Sequence, residues 1–364
     1  MPRKRAYDRV MCVTIALLCL MGLLMIYSAS AVLAGDQYGT PYHFLVRQVI
    51  ALVIGVAGMV VLMRINYRAL ARQGLVYAIL GVTTLLLTAS LASPAINGTH
   101  RWLKLGPLSL QPSEFAKLAL ILFLAWRLQR DGSECEVPVQ KTLLPCLGIA
   151  GFLIVLVILQ PDLGTAVCLS ILAGAMLFIA GVKVRHLMAV AVVGAIVLLL
   201  VIPMKGYQLK RVTAFLDPEA DPLGAGYQVR QSTIAVGAGG VAGRGLGDGK
   251  QKLYFLPYPY TDFIFGVIGE ELGLAGTLSV LAAFLVLLWR GVVVALRAPD
   301  AFGRYLAAGI TVFLVAQAMI NMGVALGMLP AKGLPMPFVS YGGSSLMAGL
   351  FASGLLLNIS QYSG

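Results

Sequence analysis

Ten apolar runs of about membrane-spanning length decide what this chain can fold into. They lie at about 10–33, 43–63, 70–91, 113–129, 142–160, 163–181, 186–203, 263–289, 302–328 and 338–360. Crossing a bilayer core takes roughly 20 helical residues, since only a helix or a closed barrel satisfies its own backbone there. Charged residues make up 12% of the 364 and hydrophobic ones 59%, against about 25% charged in an ordinary soluble domain. The expected fold class is all-α, a polytopic integral membrane protein of about ten transmembrane helices. No Gly/Ser- or Pro-rich linker divides it, so 1–364 reads as a single transmembrane domain.

Lys and Arg set the orientation. With a cytoplasmic N-terminus, fifteen of the 27 fall in inner segments, among them Arg3, Lys4, Arg5, Arg68 and Arg290. Five fall in the short outer loops: Arg47, Arg101, Lys104, Lys117 and Lys332. That bias expects both termini inside a cytoplasmic (inner) membrane. Arg3-Lys4-Arg5 ahead of an apolar run imitates a signal peptide, but the run to residue 27 exceeds an ordinary h-region, so an uncleaved first helix is expected. The net charge of +12 is dispersed over many loops. A nucleic-acid footprint would be clustered on one face, so no nucleic-acid partner is expected. The five cysteines lack metal-ligand spacing. His43, His100 and His186 are scattered, which supports neither a zinc site nor a Ser-His pairing.

The polar segments all fall on the outer side. One is long, about 204–261, with a glycine-dense stretch Gly237–Gly249 that includes Arg244. Around Gln228 to Val236 it is expected to form a short helix lying on the bilayer. The others are 97–104 through 111–114, 160–164 and 332–345, while the inner loops are short. The chain is therefore expected to work at its outer face.

Asp262 stands where the long loop meets an apolar run, and a carboxylate there is costly without a task or a partner. Gly266, Gly269, Gly273 and Gly276 follow on one helical stripe, the pattern of a close helix seam. Glu270 and Glu271 lie two turns further on, and an N-cap role for Asp262 would not explain three acids. Behind Pro112, Glu114 and Lys117 are three apart and can meet on one helix face, as a structural pair or with the ammonium turned toward an anionic headgroup. Arg101 and Lys104 flank Trp102 as an interfacial anchor or a phosphate clamp, and Arg47 has the same two readings. Asp162 reads as a helix start. The run Ser340–Ser345, including Ser344, either offers amides and hydroxyls to phosphate oxygens or permits a tight turn. One carboxylate among several cations suits a transfer whose leaving group is already a stabilised phosphate. A single general base then suffices, whereas ordinary glycosidases need an acid as well.

The same segments resemble the SEDS family of cell-wall polymerases, the FtsW/RodA/SpoVE group. The matching stretches are Tyr27-Ser-Ala-Ser30, Gln111-Pro-Ser-Glu-Phe-Ala-Lys117, Gln160-Pro-Asp-Leu-Gly-Thr165, Gly243-Arg-Gly-Leu-Gly247, Thr261-Asp-Phe-Ile-Phe265, Gly269-Glu-Glu-Leu-Gly273 and the 332–345 run. Lys332-Gly-Leu-Pro and Leu253 to Leu256 look more like the division and sporulation branch. The resemblance implies a peptidoglycan glycosyltransferase that polymerises lipid II into β-1,4-linked strands for cell division. Its implied partners are a class B penicillin-binding protein transpeptidase and other divisome membrane proteins. It makes Asp262 the catalytic base and carries substrate-binding roles to Lys117 and Arg101, with Glu114, Arg47, Lys332, Ser344 and Arg244 expected around them. Family members often have Glu and His where this chain has Tyr258 and Tyr260, so no role carries to those two. No cofactor follows with certainty; a divalent metal, Mg or Mn, is the open option beside the leaving pyrophosphate. A lipid II flippase using Glu114, Lys117 and Asp162, and a non-catalytic scaffold for a transpeptidase, are the rival readings.

Overall fold

A computed structural model describes residues 6–94, 99–105, 108–131, 139–204, 215, 225–331 and 333–363. Its long helices are α1 (Arg9–Tyr38), α2 (His43–Arg64), α3 (Gln73–Leu91), α4 (Pro112–Leu128), α5 (Leu144–Leu159), α6 (Leu163–Ile179), α7 (Val184–Met204), α8 (Ala225–Gly239), α9 (Ile264–Arg297), α10 (Ala301–Ala325) and α11 (Gly343–Ser360). Each of the ten expected spans is one of these helices, and α8 is the addition. Seven are long and apolar enough to cross a membrane. Among the described residues the strands are a single antiparallel hairpin, β1 (Leu103–Leu105) and β2 (Leu108–Leu110), with Lys104 opposite Ser109.

Local chemistry places the helix ends. Asp8 caps α1 by accepting from the Met11 amide at 3.0 Å, and Gly39 ends it in the left-handed conformation at φ 70°, where glycine costs least. Asp162 caps α6 from the Thr165 amide, as its position after Pro161 predicts. Pro112 opens α4, at a position whose N–H would have had no intrahelical partner.

α4 is the shortest expected span and also the most enclosed. All its residues except Phe115, Leu118 and Arg127 are buried, because α3, α6, α10 and α11 surround it. The outer helices instead turn leucine and valine outward, as at Leu17, Leu20, Val53 and Leu85. Such exposure suits hydrocarbon, where apolar contact needs no burial in protein.

The helix expected near Gln228 forms, but it does not lie on the surface. Ser232 of α8 is fully buried and donates to the Ala325 carbonyl at 2.8 Å. A Cβ on Gly266 would come within 2.5 Å of Ser232 Oγ, and one on Gly269 within 2.8 Å of Val236. Those two glycines thus let α8 pack into α9, which removes α8 from the interface. The stripe stops there. Gly273 leaves the helical region at φ 65°, ψ −157° and breaks α9, while Gly276 faces Leu272 of its own helix.

Candidate functional site

The break at Gly273 is the first of two places where the loops fasten to the helices. Chain 240–245 takes over the backbone bonds that the helix drops. Arg244 N–H donates to the Glu270 carbonyl at 3.0 Å, Gly245 N–H to the Glu271 carbonyl at 3.0 Å, and Leu274 N–H to the Gly240 carbonyl at 3.0 Å. Backbone meets backbone so closely that a Cβ on Gly243 would lie 2.2 Å from the Glu271 carbonyl oxygen. The two carboxylates complete the latch. Glu270 accepts from the amides of Lys250 and Gln251, at 2.8 and 3.1 Å. Glu271 accepts from Ser28 Oγ at 2.7 Å, from the Gly247 amide at 3.1 Å and from Lys252 Nζ at 2.6 Å. Both acids are buried, so the acids beyond Asp262 hold the glycine-rich chain. Arg244 joins them, with one guanidinium nitrogen 3.6 Å from Glu270 and its side chain 38% exposed.

Asp262 lies in the turn just before α9. The N-cap position of that helix is Phe263, so Asp262 stands outside the capping site. It is half-buried. Its backbone carbonyl accepts from Asn321 Nδ2 at 2.8 Å, and the same nitrogen donates to the Leu334 carbonyl at 2.8 Å. A Cβ on Gly333 would sit 3.3 Å from Asp262 Oδ2, so the carboxylate rests against the start of the 333–342 segment. Two residues earlier, the Tyr260 carbonyl accepts from the Tyr341 amide at 2.8 Å. The Tyr260 ring packs on Phe44, with centroids 4.4 Å apart. Burial pushes its phenol up to about 12, which keeps the proton on it. Arg47, exposed on α2, hydrogen-bonds the Tyr341 side chain.

Three side-chain amides hold the 333–342 segment. Asn321 takes the Leu334 carbonyl, Gln317 donates to the Pro335 carbonyl at 2.8 Å, and Gln48 donates to the Ser340 carbonyl at 3.2 Å while accepting from the Gly342 amide at 3.2 Å. Gln317 Oε1 in turn accepts from Lys117 Nζ at 2.6 Å, and Lys117 pairs with Glu114 Oε1 at 2.8 Å. Both charged residues are fully buried, and Lys117 also lies 4.9 Å from the Phe313 ring centroid. The predicted pair exists. Its ammonium faces protein.

The remaining predicted residues fall along the same network. Arg101 lies 3.7 Å from Asp162 and donates to the carbonyls of Gln160 (3.2 Å) and Pro161, so it clamps the turn between α5 and α6. Asp162 accepts from Gln111 Nε2 at 3.2 Å. Ser344 is buried, accepts from the Gln111 amide at 2.9 Å and donates to the Ser109 carbonyl at 3.1 Å. The amides of Ser340, Tyr341 and Gly342 are already bonded within the protein, which corrects the expectation that this run offers them to a ligand. Lys332 lies outside the described residues. Among the described residues, no three His, Cys, Asp or Glu side chains converge as a metal site. A magnesium-type ion, which commonly takes one or two carboxylates plus substrate phosphates, would draw most of its ligands from substrate. Beside α4 opens an apolar cavity of about 510 Å3, lined by residues including Leu62, Ile79, Phe115, Leu122 and Phe351.

Sequence reasoning missed Gln48, Gln317, Asn321 and Lys252. The first three carried a readable signal, because polar side chains inside apolar spans are functional candidates by default. Gln317 and Asn321 are also one turn apart on one face.

A family model described as "Cell cycle protein", FTSW_RODA_SPOVE, matches residues 8–364. A relative from Geobacter metallireducens, named "Probable peptidoglycan glycosyltransferase FtsW", is 43% identical over 97% of this chain and 94% of its own length. "Stage V sporulation protein E" of Bacillus subtilis is 39% identical over 99% of both. Among solved structures, a chain described under "Structural coordination of polymerization and crosslinking by a peptidoglycan synthase complex" superposes with a TM-score of 0.79 at 32% identity, covering 98% of both chains. Rod shape determining protein RodA of Thermus thermophilus superposes with a TM-score of 0.72 at 30% identity, also over 98% of both. With its motifs gathered on one helical frame and matched from end to end, this multi-pass membrane protein belongs to the FtsW/RodA/SpoVE family.

Proposed function

We propose that this chain, working as one transmembrane unit, is a peptidoglycan glycosyltransferase that polymerises lipid II at the outer face of the cytoplasmic membrane. The observation that carries this reading is the placement of Asp262. It is a half-buried carboxylate at the mouth of a membrane helix, resting against a segment that three buried amides hold still. The carboxylate removes the proton from the GlcNAc 4-hydroxyl of the acceptor. That oxygen attacks the donor's anomeric carbon with inversion, forming the β-1,4 bond. The electron pair of the breaking bond leaves on undecaprenyl pyrophosphate, which needs no proton. Arg47 and Arg244, the predicted cations with exposed side chains, and Lys332 supply charge toward that group. Lys117 and Arg101 act from behind, by fixing the 333–345 segment and the α5–α6 turn. The apolar cavity beside α4 suits a prenyl chain in character.

The positive-inside bias supports cytoplasmic termini. The named relatives support a role in division, with a class B penicillin-binding protein and other divisome membrane proteins as partners.

Purified protein with labelled lipid II, and no other glycosyltransferase present, tests the reading. Glycan ladders that vanish in Asp262→Asn support it. Transbilayer movement of lipid II without ladders, surviving Asp262→Asn, would mean a flippase instead. Neither activity, with binding to the transpeptidase intact, would mean a scaffold.

A further inference from the structure

We infer that Asn321 is a positioning residue for Asp262, with Gln317 as its support one turn away; this rests on the glycosyltransferase reading. Asn321 is 1% exposed in the middle of the bundle. Its Nδ2 spends one hydrogen on the Asp262 carbonyl and the other on the Leu334 carbonyl. Turning the amide over would set Oδ1 against two carbonyl oxygens, so its orientation is fixed. Oδ1 itself is buried and accepts no hydrogen bond. An orphaned buried acceptor is destabilising, and an apolar side chain would avoid it. The residue gains the position only through its two donors, and both go to chain that frames the carboxylate.

Gln317 repeats the pattern on the preceding turn of α10. It grips the next carbonyl, that of Pro335, and is itself held by Lys117. Successive turns of one buried helix therefore fix successive carbonyls of the segment against which Asp262 rests. Asn321 alone also reaches the turn that carries Asp262. Shifting that turn moves a general base relative to its hydroxyl, and a displacement of about 1 Å costs on the order of 100-fold in rate.

The experiment uses the full-length protein with its transpeptidase and measures kcat and KM for lipid II in Asn321→Asp, Asn321→Ala, Gln317→Met and Asp262→Asn. Asn321→Asp keeps the shape and replaces the double donor with acceptors. In both Asn321 variants kcat is expected to fall by about 30- to 100-fold, with KM within about threefold of wild type. Gln317→Met is expected to lose about three- to tenfold in kcat, since the Asp262 contact survives. The inference is overturned if the Asn321 variants keep kcat within threefold of wild type while Asp262→Asn is dead. It is equally overturned if kcat and KM deteriorate together with a collapse of the unfolding midpoint, the mark of a purely structural role. Should neither variant fold, Asn321→Ser, which keeps one donor, decides: a partial kcat loss at unchanged KM supports positioning, and wild-type kcat refutes it. Ladders from Asp262→Asn would instead defeat the glycosyltransferase reading itself.

Discussion

At the end of the bundle away from Asp262, carboxylates meet cations directly and close to solvent; toward Asp262 they meet them inside protein and pass the contact on to a loop. At the far end Asp300 lies 2.8 Å from Arg68, with side chains 30% and 39% exposed, and Asp8 lies 2.6 Å from Arg290. Both acids are helix caps, for α10 and α1. At the near end the Glu114–Lys117 and Glu271–Lys252 pairs are at most 5% exposed. Lys117 goes on to Gln317, which holds Pro335, and Glu271 goes on to Ser28 and the Gly247 amide. A buried ion pair is a poor way to add stability, because desolvation consumes most of its attraction. Its use here is to give irregular chain fixed partners where water is scarce.

The sharpest break between the two ends should come from Asp262→Asn. Turnover should drop by about 10²- to 10⁴-fold, the range of general-base catalysis, with an unchanged unfolding midpoint in detergent. Next in size, Glu114→Gln and Glu271→Ala each leave a buried ammonium uncompensated, at about 3–5 kcal/mol in unfolding free energy. Replacing both partners, Lys117→Met with Glu114→Leu, should recover most of that stability while cutting the tie to Gln317. Recovery of activity along with stability would refute a role for the pair beyond folding. At the far end, Arg68→Ala should cost about 1 kcal/mol or less. A loss as large as that at Glu271 would erase the contrast.

The smallest effect is one of pH. Burial works to raise the Asp300 carboxyl, but hydrogen bonds from Tyr67, the Gly303 amide and Arg68 outweigh it and hold the group below its ordinary value. A depressed folded value means a contribution that is complete above the unfolded value of about 3.9. It is lost as pH falls through the lower folded value. Unfolding midpoints between pH 6 and pH 3 should show this loss in the parent and a shallower decline in Asp300→Asn.

Much of this was legible in sequence where the cause was local or imposed by the membrane. All ten spans follow from run length, and the Glu114–Lys117 pair from a three-residue spacing. Asp162 was recognisable as a cap because Pro161 precedes it. Contacts between remote segments were not legible. Nothing near Gly273 announces that chain 240–245 will replace a turn of helix, and nothing near Gln228 shows that Gly266 and Gly269 will admit α8. The two readings of Arg101 could not be separated until the Gln160 and Pro161 carbonyls came to lie beside it.

The interruption at Gly273 also limits which parts of the loop can swing. Lifting residues 240–245 would strand the Glu270 and Glu271 carbonyls and the Leu274 N–H in hydrocarbon, where each deserted group costs several kcal/mol. Travel that admits a bulky sugar chain is therefore left to the stretch after Lys252, where Tyr254, Phe255 and Tyr258 stand more than half exposed. The anchored half sets the floor of the gate, and only its rim is at liberty to part.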